Sequence, residues 1–222
     1  MSALDVGIEG VQLVIDREAV LLSSVAPLTV CSSALVGGGI VSCRYIINVH
    51  VPKGYAGHDP ASDLVAFARA RGIIEPFVGL LTAAWTQEAK VNLERADGIS
   101  VAVVVTVGLS NTIAAGVSPA AACVPSTINT IVLVDGHPEP SALVNAIITA
   151  TEAKSLALAE AEIKTAGGWR ASGTSTDAVV IAATGRGRPL NFAGPVADGG
   201  WLIARAVRLA IEAGIMGQKV GS

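Results

Sequence analysis

Hydroxyl, amide and carboxylate side chains set among apolar runs are the places in this chain where chemistry could sit. A buried polar group costs free energy unless it bonds a neighbour or serves a site. The densest cluster is Gly173-Thr174-Ser175-Thr176-Asp177, directly before an apolar run. Three hydroxyls and a carboxylate beside a glycine suit the cradling of a polar group or an oxyanion, or simply a side-chain-capped turn. The cluster is not a nucleophile elbow, because G-x-S-x-G requires a second glycine where Asp177 stands. Two further segments, Gly108-Leu109-Ser110-Asn111 and Thr127-Ile128-Asn129-Thr130, end and open apolar runs. Amides such as Asn111 and Asn129 at strand ends orient a substrate amide, and they form loops equally well.

A third cluster lies on a helix, SALVNAIITATEAKSLALAE, that is apolar nearly all round and is therefore expected to be buried on more than one side. At about 100° per residue, Asn145, Thr149 and Glu152 share one stripe. Lys154 falls nearly opposite, with Leu143, Ile147 and Leu158. A carboxylate and an amine there either move protons or pair with neighbouring elements as structural ions. Other signals are missing. The sequence holds no GxxxxGK[ST], no GxGxxG after a strand, and no HExxH or comparable spacing around His50, His58 and His137. No metal site is implied.

The elements that must position these groups follow from periodicity. VQLVI, AVLLSS and the run from Ile40 to Val51 read as strands, with Gly37-Gly38-Gly39 marking a tight turn or close approach. Asp59 caps a helix that Pro60 begins, with Leu64, Phe67 and Ala68 as its apolar stripe, Arg69 and Arg71 near its end and Gly72 as its stop. FVGLL, ISVAVVVTV, INTIVLVD and DAVVIAAT are continuous apolar runs, as interior strands are. A long helix is expected from Glu139 to Ile163. Asp198 caps a last one, with Arg205, Arg208 and Glu212 on its solvent stripe and Gly214 as its end. Strand-rich first and alternating later, the chain reads as an α+β type of α/β protein: a mixed sheet with helices packed on it, in one domain spanning 1–222.

Of the 222 residues, 51% are apolar and only 15% charged, against about 25% charged in an average soluble domain. Surface must therefore be hidden in a dense core or between subunits, and a homo-oligomer and an alanine-, valine- and glycine-rich monomer both remain open. A net charge of −3 with scattered basic residues offers no track for nucleic acid. Cys31, Cys43 and Cys123 show no CxxC spacing, so no disulfide framework is expected and a reducing cytoplasm is the default. The N-terminus lacks the basic start and apolar run of a signal peptide. The uncharged stretch from Gly98 to Val134 is broken by Gly108, Asn111, Gly116, Pro119, Pro125 and Asn129. A membrane span needs about 20 apolar residues in one run, so buried strands joined by a polar loop fit better.

Taken in order, the segments resemble the adenosylcobinamide amidohydrolase family. The likeness runs through SSALVGGG at Ser32, NVHVPKGY at Asn48, LTAA at Leu81, TVGLSN at Thr106 and TINTIVLVD at Thr127. It continues with ALVNAIITATEAKSLAL at Ala142, GTSTDAVVIA at Gly173 and FAGP at Phe192. It covers most of the chain and is weakest over the first thirty residues. The chain departs from the family pattern at His50, at Phe192 where a tyrosine is expected, and at Ser175 where threonine is common.

The resemblance implies hydrolysis of the amide that joins a corrin propionate arm to aminopropanol, giving adenosylcobyric acid for cobalamin salvage. The corrinoid is then substrate, with no cofactor. Amide hydrolysis needs a nucleophile, an oxyanion stabiliser and a proton for the leaving amine. The first expectation is water as nucleophile with Glu152 or Asp177 as general base, and Asn111, Asn129, Thr174 and Thr176 orienting the amide and stabilising the oxyanion. The competing one is covalent attack by Ser33, Ser110, Thr127 or Thr176. Ser33, Asn48, Thr82, Ser110, Thr127, Asn145, Thr149, Lys154, Thr174, Ser175 and Thr176 are the substrate-binding candidates. Lys154 reaches a leaving amine only from the far side of its helix, so ion pairing is the safer reading for it. A corrinoid-binding protein without turnover and a self-assembling structural protein are the alternatives from other classes.

Overall fold

The computed structural model describes residues 3–120 and 126–220; Cys123 and Pro125 lie outside the described residues. The elements are β1 (Leu4–Asp5), β2 (Val11–Ile15), β3 (Ala19–Ser32), β4 (Gly39–His50), α1 (Pro60–Ala70), β5 (Phe77–Thr82), a 3-10 turn (Thr86–Glu88), β6 (Lys90–Ala96) and β7 (Ile99–Thr106). There follow β8 (Thr112–Ile113), β9 (Asn129–Asp135), β10 (His137–Pro138), α2 (Pro140–Glu160), β11 (Gly173–Thr174), β12 (Ala178–Ala183), β13 (Pro189–Leu190) and α3 (Asp198–Val220). Nine strands make one mixed sheet, ordered β1-β2-β3-β12-β9-β7-β6, with β4 on β3 and β5 on β4. The expected α+β class with helices packed on a mixed sheet is what the chain adopts.

β3 is the pivot. Its first half pairs with β2 and its second half with β12, while β4 follows its other edge with a register break between Ser23 and Leu28. At that break the sheet curls, and its inner faces meet. Leu13, Leu22, Val30, Ile46 and Leu80 from one half pack on Val104, Leu133 and Val180 from the other. Outside, α1 covers β4 and β5 through Leu64 and Ala68. α2 and α3 cover β7, β9 and β12. Four layers result, helix on strand on strand on helix. Alternate residues of β7, β9 and β12 serve the two cores in turn, which is why these strands are apolar without interruption.

The two parallel pairs of the nine-stranded sheet, β4 with β5 and β9 with β12, are each joined through a crossover helix, since parallel strands cannot be linked by a tight turn. Asp59 caps α1 as expected, accepting from Ser62 N at 3.1 Å. At Gly37 (φ +68°) an added Cβ would lie 2.6 Å from Phe77 O, so the expected close approach is met there.

Two expectations need correction. Gly214 does not stop α3, which runs on to Val220. Instead a Cβ at 214 would stand 2.4 Å from Val107 Cγ2, so the glycine lets the helix lie against the end of β7. Residues 90–96, which the sequence patterning leaves unassigned, form the edge strand β6. On the α3 stripe Arg205 is exposed while Arg208 and Glu212 are half-buried, and the stripe ties layers together: Arg205 bonds Glu94 at 3.0 Å, and Arg208 bonds Glu160 at 2.5 Å and Glu212 at 3.4 Å.

Candidate active site

At one end of the sandwich, the C-terminal ends of β4, β5 and β7 meet the N-terminal ends of β9 and β12. A cleft of about 570 Å³ opens there, bordered by Ser33, Tyr55, Leu81, Thr127, Asn129, Thr176 and Asp177 among others. Four of those seven come from the two polar clusters at residues 127–130 and 173–177. Parallel pairing of β9 and β12, with Ala178 opposite Asn129, puts the clusters side by side.

Asp177 organises one wall. Its Oδ1 accepts from Ile128 N at 3.0 Å and Thr174 Oγ1 at 2.5 Å. Its Oδ2 accepts from Thr174 N at 3.1 Å and Lys154 Nζ at 2.5 Å. The lysine and aspartate side chains are only 8% and 10% exposed, so this is a buried, hydrogen-bonded ion pair. Gly173 is what lets it close: a Cβ there would lie 2.3 Å from Asp177 Oδ2 and 2.8 Å from Lys154 Nζ. A carboxylate offers about four acceptor positions, and four donors occupy them here. Asp177 is thus built to hold the turn and strand ends in place. Beside it, Thr127 Oγ1 and Thr176 Oγ1 stand 2.8 Å apart on the cleft wall. Thr127 is fixed by its neighbours, since Ile128 N goes to Asp177 and Gly108 N donates to Thr127 O at 3.1 Å.

The other wall is neutral. Asn129 Nδ2 donates to Asn48 Oδ1 and to Leu81 O, each at 2.8 Å. Asn48 Nδ2 donates to Thr106 Oγ1 at 3.0 Å, and Thr106 and Thr82 hydroxyls are 3.4 Å apart. Thr82 Oγ1 also accepts from Ala84 N at 3.1 Å. Because a carbonyl only accepts, the Leu81 contact fixes which end of the Asn129 amide is nitrogen. Its Oδ1 is then buried at the cleft with no partner among the described residues. Such a group is costly unless a ligand supplies the missing donor.

The remaining candidates fall in several places. Thr174 is part of the Asp177 cluster, and Asn111 Nδ2 donates to Ser175 Oγ at 2.8 Å behind it. Ser33 borders the cleft while its Oγ accepts from Val179 N at 3.1 Å. Ser110 lines a neighbouring hollow instead, with its N bonded to Ser126 Oγ at 3.0 Å. Thr149 is buried and donates to Ala193 O at 2.7 Å. Asn145 is half-buried on α2 and outside the cleft lining. Glu152 is exposed, with no hydrogen bond or ion pair among the described residues. α2 turns its Lys154 face to the site, so the proposed Glu152 base is left in solvent. Phe192 is also exposed.

Tyr55 is the cleft residue that sequence reasoning passed over. It lies in the quoted NVHVPKGY block, but nothing in its spacing singles it out. Its hydroxyl donates to Asp63 Oδ2 on α1. That bond, with a smaller part from burial and from the charge of Asp63, pushes its pKa up to about 12. The phenol stays neutral at the mouth of the cleft.

A profile of the adenosylcobinamide amidohydrolase family matches residues 5–221. The chain belongs to the adenosylcobinamide amidohydrolase family. It is 32% identical over 192 residues to the adenosylcobinamide amidohydrolase of Methanosarcina mazei, covering 81% of this chain and 86% of the other. Among solved structures it is similar to the PH0078 protein of Pyrococcus horikoshii OT3, with TM-score 0.55, 12% identity and coverage of 95% and 85%. A Burkholderia sp. β-aminopeptidase gives TM-score 0.52, 16% identity and coverage of 95% and 84%. At those identities the two structures show a shared fold.

Proposed function

We propose that the cleft hydrolyses the aminopropanol amide of adenosylcobinamide, with the Thr127 hydroxyl as nucleophile. The observation that carries this reading is the juxtaposition of a paired hydroxyl, Thr127 with Thr176, and an unpartnered amide oxygen, Asn129 Oδ1, on one cleft. An N-alkyl amide presents one N–H donor and one electrophilic carbonyl carbon, the complement of those two groups. The cleft admits the amide arm, while the corrin ring rests at its mouth.

Asn129 Oδ1 accepts the amide N–H and turns the carbonyl carbon toward Thr127. The Thr127 oxygen bonds to that carbon as its proton passes to Thr176 Oγ1, and the Thr176 proton passes to the amide nitrogen. The C–N bond breaks, aminopropanol leaves, and an ester joins Thr127 to the corrin arm. Water attacks the ester by the reverse relay, releasing the carboxylic acid and restoring both hydroxyls. Asp177 and Lys154 act by holding the strand ends and the Thr174–Thr176 turn in register. Saturation of the Asp177 carboxylate by four donors favours this path over water activated by Asp177.

The corrinoid is substrate in this reading, and no cofactor takes part. We place the enzyme in a reducing cytoplasm, in keeping with buried free Cys31 and Cys43, without nucleic acid or membrane as partner. Exposed Val144, Ile148 and Leu156 on α2, with Trp201 on α3, support self-association through the outer helical face.

The test is mass spectrometry of purified protein with adenosylcobinamide, scoring adenosylcobyric acid and aminopropanol together. An activated ester of the corrin arm, which acylates faster than it deacylates, should on acid quench add the corrinoid acyl mass to the peptide holding Thr127. Turnover that never labels the protein, and that survives Thr127→Val, returns the mechanism to water.

A further inference from the structure

The cleft holds the means to open an amide but little with which to activate water. Of the described residues on its lining, only Tyr55 and Asp177 carry titratable groups. Asp177 is saturated by its four donors, Lys154 among them. The Tyr55 hydroxyl is committed to Asp63. On neighbouring elements, the His50 ring is bonded through Nδ1 to Ala84 O at 2.9 Å and stacked on Trp85, and Lys53 borders a separate hollow. Much of the remaining lining is apolar, with Leu35, Val51, Leu80, Leu81 and Ala178 around the reacting hydroxyls.

A weak neutral nucleophile such as water gains most from a base beside it. Here an ester on Thr127 would meet water with only the Thr176 hydroxyl, 2.8 Å from the Thr127 oxygen, to take a proton. A primary amine is a different case. Its nitrogen attacks through a lone pair while uncharged, and it sheds a proton after the new C–N bond has begun to form. The two groups that the substrate amide engages also suit such an amine. One N–H meets Asn129 Oδ1, the open acceptor, and the other proton goes to Thr176. Expulsion of an amine and attack by an amine are one step run in opposite directions. The place vacated by aminopropanol is therefore already shaped for an incoming amine.

We infer that the enzyme is also an acyltransferase, passing the corrin arm from Thr127 to small primary amines and so exchanging one amide for another. The inference rests on the amidohydrolase reading above. The amine nitrogen bonds to the ester carbonyl carbon, and the bond from that carbon to the Thr127 oxygen breaks. One amine proton passes to Thr176 Oγ1, and the Thr176 proton returns to the Thr127 oxygen. The second N–H stays on Asn129 Oδ1. Over the whole cycle one C–N bond breaks and one forms, so no activating co-reactant is needed. A secondary amine has a single N–H. It cannot both meet Asn129 and supply the relay, and the site rejects it.

The test incubates wild type and Thr127→Val with adenosylcobinamide and an excess of deuterium-labelled aminopropanol, at a pH that leaves part of the amine uncharged. Mass spectrometry follows adenosylcobyric acid, released unlabelled aminopropanol, and label in the remaining adenosylcobinamide. Parallel runs replace the amine by its N-methyl derivative, or the corrinoid by adenosylcobyric acid. Labelled adenosylcobinamide should accumulate with wild type alone, and the yield of acid should fall as amine is added. The N-methyl amine should be incorporated about a hundredfold more slowly, since the site's hydrogen bonds are then left unmade. Acid formed at its usual rate with no label in the amide overturns the inference and leaves hydrolysis standing. So does equal incorporation of the N-methyl amine, label that persists in Thr127→Val, or label entering the free acid as fast as the amide. Wild type that releases neither acid nor aminopropanol overturns the amidohydrolase reading itself.

Discussion

The two walls of the cleft are built to opposite rules. On the Asp177 wall every acceptor is met: one carboxylate, four donors, and a buried lysine closing the charge. On the Asn129 wall a neutral relay of four side chains ends in one oxygen that none of the described residues meets. Saturation fixes geometry, because each satisfied bond restricts the groups that make it. An open acceptor reserves its bond for something that comes and goes. The rigid wall therefore carries the reacting hydroxyls, and the incomplete one reads the substrate.

This contrast sorts substitutions by what they should remove. Thr127→Val keeps shape and deletes the hydroxyl that the rigid wall presents. It should lower kcat by about a thousandfold or more with an unchanged unfolding midpoint, while Thr127→Ser keeps measurable turnover. Near-normal aminopropanol release by the valine variant would take the nucleophile away from this wall. Lys154→Met leaves the Asp177 charge buried without its partner, at a cost of about 3–5 kcal/mol. Urea denaturation should show that loss; a shift under 1 kcal/mol means that the ion pair is not the keystone of the wall.

Asn129→Ala removes the open acceptor and should reduce kcat/KM by about a hundredfold. Thr82→Val, one link back in the same relay, should cost about 1 kcal/mol of stability and little catalysis. Equal catalytic losses at both would mean that the relay acts as a unit and that the open oxygen has no special part. Away from the site, Gly214→Ala adds a methyl 2.4 Å from Val107 Cγ2, and overpacking costs about 1–3 kcal/mol against a helix-propensity gain of about 1. Net stabilisation would restore the idea of Gly214 as a mere helix stop.

The smallest effect is one of pH. Burial alone would raise the pKa of Asp16. The backbone amides of Ala19 and Glu18, and then Arg71, outweigh it and hold the carboxyl below its ordinary value of 3.8. The group therefore adds stability that is complete above pH 3.8 and is lost as pH falls through the depressed folded value. Wild type should lose more of its unfolding midpoint than Asp16→Asn between pH 5 and pH 2.5.

The sequence made some of this plain and hid the rest. ISVAVVVTV, INTIVLVD and DAVVIAAT became β7, β9 and β12 because strands covered on both faces must be apolar throughout. KVNLERA went unread, since an edge strand with one open side tolerates lysine, glutamate and arginine. The clusters at 127–130 and 173–177 were visible as polar residues that an apolar neighbourhood must satisfy. Their partners were not. Asn48 lies 81 residues from Asn129, and no local spacing connects them. On α2 the stripes were assigned properly, but a helix buried on two sides does not reveal which stripe looks into the site. That is how Glu152, now in solvent, and Lys154, now against Asp177, exchanged importance.

The division of β3 between β2 and β12 also has a consequence for how the enzyme comes into being. Ser33 and Val179 bond each other in both directions across a separation of 146 residues. Closing so long a loop is an entropic barrier that contacts repay only afterwards, and topologies dominated by such pairings fold slowly. On the ribosome, β2 to β5 can pair with α1 long before residues 173–183 have emerged. The Asp177 wall is therefore made late, and a nascent chain remains catalytically mute until β12, the last strand of the large sheet, is threaded in.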